Sequence, residues 1–153
     1  WVNYLVGPDT TASVFIPDFE LSTSKAREAL PTVVPFADAV FNVSRAALLI
    51  GAMNPAMLTS PRDPNELLVE ATEDKLHQAY RGPLMEPSAR LITLLRANGF
   101  AAMVSGAGPC VLVLHNGDAN SAIDAVAHEQ LESGHWKVLH LATDTQGVQV
   151  ARL

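Results

Sequence analysis

Two apolar runs, Phe100 to Val104 and Cys110 to His115, are separated only by Ser105-Gly106-Ala107-Gly108-Pro109, and this arrangement constrains the fold more than any other feature. Runs this short and this continuously apolar predict two central strands covered on at least one face. Two glycines two apart permit positive φ and let main-chain N–H groups come close to an anion. Taken by itself, the segment is also what a plain hairpin turn contains. It is neither a Walker loop nor a dinucleotide fingerprint, because no Gly-Lys-Ser/Thr follows and it precedes a strand instead of a helix.

The rest of the chain is divided by prolines and glycines. Trp1 to Val6 and Thr11 to Ile16 are β-prone runs around the turn residues Gly7-Pro8-Asp9, predicting two strands. Ser22 to Leu30 predicts a short helix stopped by Pro31, and Pro35 opens a second one over Phe36 to Met53. Asp63-Pro64-Asn65-Glu66 has the cap, the proline and the acid of a helix start, and the pattern predicts a helix from there to Tyr80, closed by Gly82-Pro83. On it Glu70, Asp74, His77 and Arg81 share one face. Pro87 to Ala97, ended by Asn98-Gly99, and Ala119 to Leu131, capped by Asp118 and ended by Gly134, predict two more helices. Trp136 to Leu141 and Val148 to Arg152, joined by a turn at Asp144 to Gly147, complete the predicted strands.

This order segregates strands from helices and favours an α+β fold over a doubly wound sheet. Helix, strand, strand, helix, strand from Pro87 to Leu141, with the strand at Thr11 to Ile16, makes a ferredoxin-like split βαβ antiparallel sheet with extra helices inserted after its first strand. A chain of 153 residues with 48% hydrophobic and 17% charged residues suits one folded domain of this kind.

The net charge is −6 and no Lys/Arg run occurs, so neither nucleic acid nor a membrane surface is an expected partner. The longest apolar stretch, Val40 to Met53, is interrupted by Asn42, Ser44 and Arg45 and is too short to span a bilayer. A single cysteine, Cys110, suits a reducing compartment, making the cytoplasm the expected location. With no helix N-terminus or base nearby in sequence, Cys110 reads as a buried small hydrophobe and not as a nucleophile. His77, His115, His128, His135 and His140 form no i, i+4 pair, so no metal site is expected. The chain begins at Trp1 with no initiator methionine or targeting pattern and reads as an excised piece.

Two arginines stand out. The helix predicted at Phe36 to Met53 is apolar nearly all round, which implies burial, and its polar residues Asp38, Asn42 and Arg45 fall within about 60° of one another. The stripe is either a sliver of solvent exposure or the wall of a ligand pocket. An arginine on such a helix needs a carboxylate, a ligand anion or water for its five donors. Candidate ion-pair partners are Asp38, Glu70 and Asp74. Arg81 follows Tyr80 at a predicted helix C-terminus, where the macrodipole alone would favour a cation.

Taken together, PFADAVFNVSRAALL (Pro35 to Leu49), EDKLHQAYRGPLMEP (Glu73 to Pro87) and VSGAGPCVLVL (Val104 to Leu114) resemble, in order and separation, the C-terminal part of homoserine kinases of the GHMP superfamily. The resemblance runs from about Phe15 onward. It implies residues 11–153 as the superfamily's C-terminal domain and residues 1–10 as a remnant of the N-terminal half. It implies substrate-binding roles for Asn42, Arg45 and Arg81, the two arginines holding a substrate carboxylate. It further implies that Ser105, Gly106, Ala107 and Gly108 support a phosphate loop, with no catalytic residue in this chain. Cys110 departs from the threonine usual at that place.

The implied activity is ATP-dependent phosphorylation of L-homoserine. ATP and Mg²⁺ would be bound mainly by the N-terminal half, whose P-x-x-x-G-L-G-S-S loop is absent from this sequence, leaving the chain inactive alone. The implied partners are L-homoserine, that N-terminal domain and a second copy of the protein. The alternatives are a ferredoxin-like amino-acid-binding regulatory module, or a related small-molecule kinase.

Overall fold

The structure, a computed structural model, describes residues 4–151. Four strands, β1 (Thr10–Pro17), β2 (Ala101–Val104), β3 (Val111–Asn116) and β4 (Trp136–Ala142), form one antiparallel sheet in the order β2-β3-β1-β4. β1 thus runs parallel to β2 with β3 between them, and β3 parallel to β4 with β1 between them, the interleaving of a ferredoxin-like fold. Helices α1 (Thr23–Glu28), α2 (Phe36–Ala52), α3 (Pro64–Ala71), α4 (Gln78–Arg81) and α5 (Glu86–Ala97) intervene between β1 and β2. Between β3 and β4 lie α6 (Asn120–Val126) and α7 (His128–Glu132).

Period-two alternation along the strands makes two cores. On one face Phe15, Ala102, Val111, Val113 and Trp136 pack with Leu91 and Leu95 of α5 and Ile123 of α6. On the other, Ala101 packs with Leu67, Leu68 and Ala71 of α3 and Ala52 of α2, joined by Leu48, Leu49 and Leu114. Each fully buried large side chain stabilises this arrangement by about 1.5–3 kcal/mol. β2 is an edge strand and not, as its apolar run predicts, a central one. Its run is apolar because helices cover both of its faces, with Ala101 in one core and Ala102 in the other.

The α3 start is as expected, with Pro64 in its first turn and Asp63 Oδ1 accepting the Asn65 N–H at 2.7 Å. The helix then ends at Ala71 instead of running to Tyr80. Thr72 Oγ1 donates to the Leu68 carbonyl (2.8 Å), and the partly buried Arg96 reaches across from α5 to the Val69 carbonyl (2.6 Å) and the Ala102 carbonyl (3.1 Å). Asp74 then accepts the N–H groups of Leu76, His77 and Gln78 at 3.1, 2.8 and 2.6 Å. Such side-chain bonds offer the backbone an alternative to the helix. The last helix is likewise divided, at Ala127, whose methyl is fully buried in the core. Ala119 and not Asp118 occupies its N-cap position, although Asp118 Oδ1 accepts the Asn120 N–H at 3.2 Å.

Two predicted strands are not formed. Tyr4 to Val6 lies outside the sheet, the Leu5 carbonyl accepting instead from Asn54 Nδ2 at 2.9 Å, and Trp1–Asn3 fall outside the described residues. Val148 to Ala151 form no ladder and Arg152 falls outside the described residues. Val148 and Val150 are 93% and 87% exposed, so the run gains no packing to offset its ordering entropy. The expected turn before it is present, held by Asp144 Oδ1 accepting the Gln146 and Gly147 N–H groups.

The helix α2 has the expected bounds but not the expected burial. Asp38, Asn42 and Arg45 are partly buried and turned toward α3 and the segment after it, whereas Phe36 and Val43 are 84% and 70% exposed. In this chain the polar stripe is the inward one. Among the described residues no helix is long and apolar enough to cross a membrane.

Candidate functional site

A cavity of about 440 Å³ opens between α2, the segment from Ala71 to Arg81, and β2 with its following loop. Asn42, Arg45, Glu73, Asp74, His77, Gln78, Arg81 and Gly106 line it. All three substrate-site candidates, Asn42, Arg45 and Arg81, therefore share one cavity with Gly106 of the glycine segment.

The inward stripe of α2 positions the first pair. Asn42 Nδ2 donates to Asp74 Oδ1 at 2.7 Å, and Asn42 Oδ1 accepts the Lys75 N–H at 2.9 Å. Arg45 stacks over the Phe41 ring at 4.2 Å. Its Nε donates to Glu73 Oε2 at 3.0 Å, and its Nη1 lies 3.4 Å from Glu70 Oε1. Of the ion-pair partners expected from sequence, Glu70 is present, while Asp38 pairs with Lys75 at 3.8 Å and Asp74 serves the backbone. Glu73 replaces them because α3 ends at Ala71 and the chain turns it toward α2.

Arg81 is held differently. Its Nε donates to the Ala26 carbonyl of α1 at 3.1 Å and its Nη1 to the Gly106 carbonyl at 3.2 Å. Among the described residues it has no carboxylate partner. A half-buried guanidinium bonded only to neutral carbonyls has no direct counter-charge, and its planar fork suits a carboxylate or phosphate oxygen.

The glycine segment joins β2 to β3. Ser105 N–H donates to the Cys110 carbonyl at 2.9 Å, and Gly108 N–H to the Ser105 carbonyl at 3.0 Å. Gly106 and Gly108 have φ of 61° and 89°, the left-handed conformation their residue type permits. The N–H groups of Gly106 and Ala107 have no acceptor among the described residues. Cys110 is half-buried and not the buried hydrophobe expected, because it lies beyond the end of β3 at the edge of the loop.

Sequence reasoning missed three supports of this cavity. Gln78 Oε1 accepts the Val104 N–H at 2.8 Å and ties α4 to the end of β2. Arg96 fixes the end of α3, and burial pulls its pKa below the ordinary arginine range. Asp74 is the third. Burial alone would raise its pKa, but bonds from the Gln78 N–H, Asn42 and His77 outweigh it and hold the carboxyl at about 2. The segment EDKLHQAYR contains Asp74 and Gln78 but not Arg96.

The depressed value fixes a sign. Asp74 binds its proton more weakly folded than unfolded, so its contribution is present above the ordinary value of 3.8 and is lost as pH falls toward about 2. Asp74→Asn is expected to lower stability at pH 7 by about 1 kcal/mol, allowing for solvent screening. Urea midpoints of both proteins should converge between pH 4 and pH 2. An equal gap at both ends would assign the effect to shape and not to charge.

Residues 53–133 match the family of GHMP kinases, C terminal. The chain is 48% identical over 140 residues to a homoserine kinase of Leifsonia xyli and 41% identical over 140 residues to one of Streptomyces coelicolor, in each case over 92% of the chain. It spans 41% of the length of each of these relatives. The solved homoserine kinase of Cytophaga hutchinsonii superposes with a TM-score of 0.76 at 18% identity, over 93% of this chain and 44% of that one, a likeness of fold. On the family match and the relatives together, the chain belongs to the GHMP kinase C-terminal family.

Proposed function

We propose that the full-length protein transfers the γ-phosphoryl group of ATP to the side-chain hydroxyl of L-homoserine, giving O-phosphohomoserine on the route to threonine in the cytoplasm. This chain contributes the substrate clamp and the loop that supports the phosphates. The observation that carries this reading is the single cavity that Arg45 and Arg81 share with Gly106. Arg81 and Arg45 hold the amino-acid carboxylate, and Asn42, itself fixed by Asp74, shapes the wall beside it. Fixing the carboxylate orients the hydroxyl without touching it, and phosphoryl transfer depends chiefly on such positioning. Neither arginine acts as a base.

The idle N–H groups of Gly106 and Ala107 fit a phosphate oxygen. In this reading the Mg²⁺ ligands and the main ATP loop belong to the N-terminal half. ATP with Mg²⁺ supplies the phosphoryl group and neutralises its charge. In the full-length protein, ATP, Mg²⁺ and homoserine are expected to yield phosphohomoserine, and this chain alone none above background. Turnover by the isolated chain would contradict the division of labour. Homoserine binding without turnover in the full-length protein would replace the kinase by an amino-acid-binding regulatory module.

A further inference from the structure

The two arginines of the cavity differ in what already holds them. Arg81 donates only to backbone carbonyls, whereas Arg45 is met by two carboxylates, Glu73 Oε2 at 3.0 Å from its Nε and Glu70 Oε1 at 3.4 Å from its Nη1. Glu70 stands outside the cavity lining and is held from its other side by Arg62 at 2.7 Å. Glu73 lines the cavity, and among the described residues Arg45 is its one side-chain hydrogen-bond and ion-pair partner. The side chains of Arg45 and Glu73 are 20% and 43% exposed, so water reaches the contact and it can open at little cost.

The charges on the cavity wall balance. Arg45 and Arg81 supply two cations, and Glu73 and Asp74 two carboxylates. Asp74 already takes contacts from Asn42, from the backbone of Leu76, His77 and Gln78, and from the His77 ring. Glu73 is therefore the lining carboxylate that can change partner. A ligand with only a carboxylate can engage Arg81, but it reaches Arg45 only by displacing Glu73 and leaving that charge without a cation. An α-amino acid brings both charges on one carbon. Its carboxylate takes Arg45 and its ammonium takes Glu73, so one ion pair is exchanged for two and no charge is stranded.

We propose that Glu73 sets the specificity of this site: it yields Arg45 to the substrate carboxylate and receives the α-ammonium, selecting an α-amino acid over the hydroxy acid of the same length. The identity of that amino acid rests on the kinase reading above. Glu73 touches the substrate and takes no part in the phosphoryl transfer itself.

Calorimetric titration of the full-length protein, with Mg²⁺ and a non-hydrolysable ATP analogue present, tests this. It compares homoserine with 4-hydroxybutanoate, which keeps the carboxylate and the hydroxyl but lacks the amine. The wild type should bind homoserine roughly tenfold more tightly or better, the worth of one charge-assisted contact. Glu73→Gln keeps the size of the side chain and removes its charge. It should weaken homoserine roughly tenfold and leave 4-hydroxybutanoate as tight or tighter, closing the gap. Equal weakening of both ligands would make Glu73 a structural ion-pair partner and overturn the proposal, as would a wild type that prefers neither. The kinase reading fails on a different result: a wild type that discriminates as expected yet forms no phosphohomoserine from ATP would keep the Glu73 exchange and remove the phosphoryl transfer.

Discussion

Gly108→Val is expected to destabilise the protein by about 2–5 kcal/mol, through a left-handed backbone costing roughly 1–2 kcal/mol and overpacking costing about 1–3 kcal/mol. A Cβ at Gly108, where φ is 89°, would sit 2.5 Å from Met85 Sδ and 3.3 Å from Val104 Cγ1. Met85 is 1% exposed, so the crowding falls on a packed side chain. A Cβ at Gly106 meets nothing within 4 Å, so Gly106→Val bears only the backbone term of about 1–2 kcal/mol. Both variants should raise KM for ATP in the full-length protein, because both disturb the loop whose Gly106 lines the cavity. Urea midpoints separate the two contributions. Equal destabilisation by both would show that Met85 yields and that packing behind the loop does not set its shape.

Arg81→Ala should lower kcat/KM for homoserine roughly ten- to hundredfold, the loss of one charge-assisted contact at about 1.5–3 kcal/mol. KM for ATP should change less. Arg45→Ala should act in the same direction and add a structural effect that Arg81→Ala lacks. Removing its guanidinium strands Glu73 and leaves Glu70 with Arg62 alone, whose bond at 2.7 Å is the first cause of a lowered Glu70 pKa. These carboxylates keep solvent contact, so the stability cost is small. Kinetics that leave homoserine use intact in both variants would reduce Arg45 to an ion pair between α2 and α3, and Arg81 to a strut between α1 and the loop.

The sheet was legible because its signals are local. Two apolar runs around Ser105 to Pro109 and the punctuated helix at Glu86–Ala97 give strand, strand and helix from neighbours alone. The break after Ala71 was not legible, since it depends on Arg96, which lies more than twenty residues away in sequence and takes the Val69 carbonyl. The false strand at Val148 shows the converse, a β-prone run with no surface to pack on. On α2 the clustering of Asn42 and Arg45 was readable, but which side of the helix faces inward depends on Asp74, Glu70 and Glu73 across the cavity. That partnership is tertiary, and an almost wholly apolar helix carries no sign of it.

The claim that a carboxylate clamp lies in this cavity meets its most direct test in a cycle of two enzymes and two substrates. Full-length wild type and Arg81→Ala are each assayed with homoserine and with 3-aminopropan-1-ol, which keeps the amine and hydroxyl but lacks the carboxylate. If Arg81 holds the carboxylate, the substitution costs roughly ten- to hundredfold in kcat/KM on homoserine and close to nothing on the truncated substrate. Equal losses on both would contradict the clamp and place the effect of Arg81 in the loop that it braces.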